Sequence, residues 1–277
     1  MVEKYQFGLM QGRLLPRYKN RYQAFPVGYW EAEFYMAKTL GFDFIEWILD
    51  YNDAHLNPLL ANLEDIKFIC KDSNVGVRSV CADYFMEAPL HGPDFEKSQS
   101  ILKQLIKNCK ELNIQDIIIP CVDQSSLKSE LEITTFIKHI TPSLRLAEEL
   151  NIYINLETDL APEPFLKLIT QLNSPCIRVN YDSGNSSSLG YDIHKEFNTY
   201  GDLISVFHVK DRPFKDGSVL LGTGDVNFDI VLHLLYQNPH IEKITLQAYR
   251  YQDYLKDVNG VKEQFDFFQN KLKGVLV

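Results

Sequence analysis

Four side chains able to hold a cation recur along the second half of this 277-residue chain: Glu157, Asp182, His208 and Gln247. The first two intervals are 25 and 26 residues, each about one strand–helix unit. Each side chain falls within the last residues of a strand-like run: IYINLET, CIRVNYD, ISVFHVKD and KITLQAY. Two carboxylates, an imidazole and a carboxamide form an O/N donor set, which suits a divalent ion. Two negative charges with a neutral His and a neutral Gln balance such an ion and leave a Lewis-acidic centre. Taken singly, each residue has a plainer reading. A strand-end Glu is commonly a surface charge, an Asp before Ser-Gly a helix cap, and a His in an apolar strand a hydrogen-bonded core residue. Their appearance at four successive strand ends is what singles them out.

The elements that must position them alternate from end to end. The strand-like runs are Tyr5–Met10, FDFIEWIL, VRSVCADY, DIIIP (ending at Pro120) and the four above. Helical patterns lie between them: WEAEFYMAKTLGF to about Gly41, LEDIKFICKDS, Phe95–Leu112, 131–150, PEPFLKLITQL, Asp192–Tyr200, 228–237 and 261–273. Within Phe95–Leu112 the apolar residues Ile101, Leu102, Leu105, Ile106, Cys109 and Leu112 recur at three- and four-residue steps. Near-continuous apolar strands separated by helices predict a parallel sheet buried on both faces. Eight such units over 277 residues predict one (β/α)₈ TIM barrel domain, 1–277. A doubly wound open sheet has the same alternation, and pattern alone does not show closure. In a barrel, chemistry sits at the carboxyl ends of the strands, where the four candidates fall.

Composition narrows the partners. A net charge of −9 disfavours nucleic acid or an anionic membrane as a general partner. No apolar run reaches the length of a membrane helix and the amino terminus carries no signal-peptide pattern, so a cytoplasmic enzyme is expected. Five cysteines without CxxC spacing read as reduced, mostly buried thiols.

Taken in order and spacing, MQGRL, YWEAEFYMAKTLGFDFIEW, YDSGNSSSLGYD, FHVKDR, LGTGDVNF and LQAYR resemble the xylose isomerase-like TIM barrel superfamily. More narrowly, they resemble its sugar phosphate isomerase/epimerase branch, over Gly8 to about Arg250. The resemblance implies one divalent metal ion (Mn, Zn, Mg or Co) held at the ends of strands five to eight by Glu, Asp, His and Glu. Glu157, Asp182 and His208 match three of these positions. Gln247 departs from the fourth. In the epimerases the two glutamates act as acid and base on opposite faces of the substrate; a glutamine binds metal through its carbonyl but takes no proton. Glu157 is then one proton carrier, and Glu46 or Lys210 is the expected second, with Asp83 and Asp123 also at strand ends. Asn185 stands where some ketose epimerases carry a substrate-binding His.

Arg13, Lys210, Arg212 and Arg250 supply positive charge near the same rim for a phosphate, a carboxylate or sugar hydroxyls. Lys210 lies two residues after His208, on the same side of its strand. Gly222-Thr223-Gly224 precedes a helix where barrels often bind phosphate, though a simple turn fits as well. Trp47, Tyr29 and Tyr84 are candidates to stack on a sugar ring. The expected activity is metal-dependent isomerisation or epimerisation of a small sugar, sugar phosphate or sugar derivative by C–H proton abstraction. Two alternatives stand beside it: a lyase or dehydratase of an inositol- or shikimate-like polyol, and a non-catalytic, metal-stabilised sugar-binding protein. A DNA-repair endonuclease of the same fold would need additional histidines at the site. A homo-oligomer is compatible with the resemblance, and the sequence shows no interface.

Overall fold

A computed structural model describes residues 4–275. Eight parallel strands close in chain order: β1 (Gln6–Met10), β2 (Phe44–Ile48), β3 (Gly76–Cys81), β4 (Asp116–Cys121), β5 (Tyr153–Thr158), β6 (Ile177–Asp182), β7 (Ile204–Val209) and β8 (Lys243–Leu246). β8 pairs with β1, Gln6 opposite Lys243 and Leu9 opposite Leu246, so the sheet has no edge and the open-sheet alternative is excluded. Around it run α1 (Glu31–Leu40), α2 (Pro58–Ala61), α3 (Leu63–Ser73), α4 (Tyr84–Glu87), α5 (Phe95–Glu111), α6 (Glu130–Leu150), α7 (Pro162–Leu172), α8 (Ser183–Leu189), α9 (Ile193–Tyr200), α10 (Phe228–Gln237) and α11 (Tyr254–Val275).

Local chemistry explains the boundaries. Ser129 caps α6 by accepting from the Glu132 amide, and Asp192 caps α9 through the His194 and Lys195 amides. Gly41, Asn74, Asn151, Asn173 and Gly190 take the left-handed conformation that ends a helix, at residues that adopt it readily. On α5 the apolar stripe buries Leu102, Leu105, Ile106 and Cys109. Each such Leu or Ile contributes roughly 1.5–3 kcal/mol. All of β2 and β4 is buried, as a barrel sandwiched between its interior and its helices requires.

The elements differ from the sequence reading in several places: α2 is not foreseen, and β8 ends at Leu246, one residue before Gln247. β4 runs one residue past Pro120, which stays in register opposite Glu157. α11 begins at Tyr254, a turn or two before its apolar pattern becomes regular. α4 starts at Tyr84, where an extended strand had been expected. α8, sequence SGNSSSL, has no apolar periodicity to reveal it.

Two register shifts interrupt the barrel, at Ile45/Glu46 between β2 and β3 and at Val179/Asn180 between β6 and β7. A bulge re-aims the side chains beside it. Both shifts fall at residues that converge on the site below.

Candidate active site

β5, β6 and β7 bring Glu157, Asp182 and His208 together at the carboxyl end of the barrel. One donor atom from each lies within 4.8 Å of the others, and all three residues are buried. Glu157 Oε2 is 3.7 Å and Asp182 Oδ2 is 4.0 Å from His208 Nδ1. The Asp182 carboxylate divides its work. Oδ1 accepts from the Asn185 amide and so caps α8. Oδ2 faces the cluster. The helix-cap and ligand readings of this residue are therefore compatible.

Gln247, one residue past the end of β8, also reaches the cluster. Its amide nitrogen is 3.1 Å from His208 Nδ1. The two ends of a carboxamide are nearly isosteric, and exchanging them presents Oε1 at the same position. Asn180, absent from the sequence candidates, donates to Glu157 Oε2 at 2.7 Å and lies 3.0 Å from His208 Nδ1. It stands two residues before Asp182. Strand alternation was the signal that places the two on one side.

Glu46 lies behind the imidazole. It has no exposed surface, and Oε1 is 2.6 Å from His208 Nε2. Its Oε2 accepts from Ser79 Oγ at 2.6 Å and Thr245 Oγ1 at 3.1 Å. This corrects the expectation that Glu46 exchanges protons with substrate: it is enclosed on the far side of His208. A carboxylate on the distal nitrogen fixes ring orientation and makes the facing nitrogen a better donor to a metal.

The electrostatics call for positive charge. Burial alone lowers the His208 pKa, but Glu46, Glu157 and Asp182 outweigh it and raise the imidazole to about 9. Burial, reinforced by the Asp182 charge, raises Glu157 to about 7. The two buried carboxylates facing His208 Nδ1, with the imidazole and the amides as further donors, fit a divalent cation in both charge and donor type.

On the outer side, Lys210 Nζ stands 3.5 Å from Asp182 Oδ2 and 3.3 Å from Asn185 Oδ1. Asn185 donates to Glu157 Oε1 at 2.6 Å and accepts from Arg212 Nη1 at 2.9 Å. Gly184 makes room for this layer: a Cβ there would come within 2.8 Å of Lys210 Cγ.

The remaining candidates lie elsewhere or face inward. Arg250, expected to contact substrate, is 3% exposed, with Nε on Asp257 and its terminal nitrogens on the Tyr22 and Leu15 carbonyls. Trp47 is a core residue packed on Phe25 and Trp30, its indole N–H held by Asn57. Tyr84 is buried and Asp83 accepts from Gln23. The Gly222-Thr223-Gly224 turn already holds an anion of its own. Buried Asp211 accepts from the Gly222, Gly224 and Val226 amides at 2.8, 2.9 and 3.1 Å, so these donors are not free for phosphate.

A narrow space of about 20 Å³ beside Glu157, Asp182 and Asn185 runs toward Phe165, Glu196 and Tyr200, is not lined by His208, and is too small for a sugar. Two roomier cavities, about 390 and 480 Å³, lie away from the cluster, around Phe214 and Ile230 and around Tyr51 and Tyr84.

A closed parallel barrel with a carboxylate–carboxylate–imidazole cluster at its carboxyl end defines a barrel protein equipped to hold a metal. The sequence matches the xylose isomerase-like TIM barrel family over residues 34–271, and the chain belongs to that family. L-Ribulose-5-phosphate 3-epimerase UlaE of Salmonella typhi is 27% identical over 233 residues, covering 78% of this chain and 81% of the relative. A solved L-ribulose 3-epimerase superposes with a TM-score of 0.77 at 14% identity, covering 98% of this chain and 95% of the other. A xylose isomerase-like barrel from Mycobacterium smegmatis, solved in complex with magnesium, gives 0.74 at 13% identity, covering 98% and 99%. Among the described residues no helix is long and apolar enough to cross a membrane.

Proposed function

We propose that this protein is a metal-dependent epimerase or isomerase of a small ketose or ketose derivative. The observation that carries the reading is the convergence of Glu157, Asp182 and His208 within 4.8 Å, in a family whose relatives include sugar 3-epimerases. Glu157, Asp182, His208 and the Gln247 carbonyl would hold the ion. A divalent cation there supplies Lewis acidity to adjacent substrate oxygens and acidifies the C–H between them.

The chain's own groups divide the proton work. Glu157 accepts the proton from carbon as general base. Asn185 and Asn180 hold its two oxygens in place. Lys210, beside Asp182 and Asn185, is the second carrier: its ammonium returns a proton to the enediolate, and exchange with solvent resets both groups. Glu46 orients His208. Arg212 steadies Asn185.

The test is transfer of solvent deuterium into a panel of ketopentoses and ketohexoses, free and phosphorylated, with Mn²⁺, Mg²⁺, Co²⁺ or Zn²⁺. Wash-in at the carbon beside the carbonyl, lost in Glu157→Gln, is expected. Neither exchange nor isomerisation anywhere in the panel sinks the proposal. An ultraviolet-absorbing enone product moves the assignment to a dehydratase.

A further inference from the structure

The carboxyl end of β1 carries two buried side chains that the proton chemistry does not use. Gln11 and Arg13 are 0% and 2% exposed. The Gln11 carbonyl accepts from the Ile48 amide at 2.9 Å, and its Nε2 has no partner. Arg13 donates through Nη2 to Gln23 at 2.7 Å, while Nε and Nη1 have no partner. Its guanidinium carbon stands 5.4 Å from the Tyr22 ring centroid. The described arginine–carboxylate pairs involve Arg21 and Arg250, not Arg13. The nearest carboxylates are engaged elsewhere: Glu33 with the Gly12 and Leu14 amides, and Asp83 with Gln23 and Cys81.

A buried N–H without an acceptor is costly, and more so on a charged group. Here every open hydrogen-bonding position on Gln11 and Arg13 is a donor. The complementary ligand therefore brings acceptors, and the unpaired guanidinium favours a negative one. All eight strands are parallel, so this donor group sits at the same end of the barrel as the metal-type cluster. We propose that Gln11 and Arg13 form an anion subsite that holds the carboxylate or phosphate oxygens of an acidic sugar substrate. The inference rests on the sugar-directed reading of the site and narrows its substrate class.

The test separates anion held by this subsite from anion held by a metal. Inorganic phosphate and, separately, D-glycerate are titrated calorimetrically into the wild-type protein and Arg13→Met, with and without EDTA. Saturable binding of at least one anion should persist in EDTA and weaken by about tenfold or more in Arg13→Met, the loss of one charge-assisted interaction. Phosphate alone points to a sugar phosphate, glycerate alone to a sugar acid. Absence of EDTA-insensitive binding, or equal affinity in the two proteins, overturns the proposal. Should Arg13→Met fail to fold by circular dichroism, Arg13→Gln removes the charge and keeps a polar side chain. Undiminished affinity in Arg13→Gln overturns the proposal equally. The readout needs no turnover, so it survives a failure of the epimerase reading. Turnover of neutral ketoses without EDTA-insensitive anion binding would remove the subsite alone.

Discussion

At the scale of single residues, Glu46 shows how position decides role. As a strand-end carboxylate it has the right chemistry for proton transfer, but it touches the wrong side of His208. We expect Glu46→Gln to weaken metal affinity roughly 10–100-fold, as loss of a carboxylate behind a ligating imidazole does. Competition against a chelating dye measures this. With saturating metal, deuterium wash-in should largely recover. Exchange that stays abolished at saturating metal would return Glu46 to the proton-carrier role. The sequence displayed Glu157, Asp182 and His208 because strand ends are identifiable from periodicity. It could not show which face of an imidazole a distant carboxylate meets. Even so, a Glu inside the apolar run FIEWI signals a satisfied partner. Arg250 was illegible for a similar reason: two of its acceptors are backbone carbonyls, which have no sequence signature.

At the scale of elements, buried carboxylates organise the loops that frame the site. Asp211 gathers three backbone amides of the segment before α10, and a Cβ at Gly224 would lie 2.3 Å from its Oδ1, so the turn is built around this side chain. Asp211→Ala leaves three amides without their acceptor and should cost about 2–4 kcal/mol. The amides of Gly222, Gly224 and Val226 should then exchange with solvent much faster; unchanged protection would refute the idea. Glu33 does the same for the loop after β1, accepting from the Gly12 and Leu14 amides at 2.6 and 3.0 Å. Burial raises its pKa from 4.5 to about 7, against the lowering effect of those two bonds and of Arg250 and Arg13. The sign follows from proton binding. Between pH 4.5 and about 7 the folded protein retains a proton that the unfolded chain has released. This group's contribution is therefore fully present below 4.5 and lost as pH rises through 7, by about 3 kcal/mol in all. Urea midpoints of wild type should fall relative to those of Glu33→Gln as pH rises across that window. Parallel curves would show that Glu33 does not titrate there. The helix α8 was missed at this scale because SGNSSSL lacks an apolar stripe. Its markers were Asp182 before it and Gly190 after it, two caps without a pattern between them.

At the scale of the whole molecule, alternation announced eight strand–helix units but not their closure, since buried parallel strands look the same in an open sheet. Closure depends on contacts between the chain's two ends, which no local window contains. The same is true of the plug at the amino end of the barrel. There Asp116 of β4 accepts from Asn155 Nδ2 of β5 at 2.9 Å and from Ser205 Oγ of β7 at 3.0 Å, and pairs with Lys243 of β8. One fully buried carboxylate thus links four of the eight strands across the barrel. Removing it strands a lysine whose side chain is only 19% exposed. We expect Asp116→Ala to cost about 3–5 kcal/mol, toward the lower end because Lys243 keeps some access to water. Asp116→Leu combined with Lys243→Met should recover much of the loss, since an apolar pair replaces an ion pair without leaving a charge alone. Urea midpoints at constant m-value measure both. A loss below about 1 kcal/mol for Asp116→Ala, the range of an exposed pair, would show that the plug does not hold the barrel closed. Metal affinity should be unchanged in both variants, because stability and chemistry occupy opposite ends of the barrel.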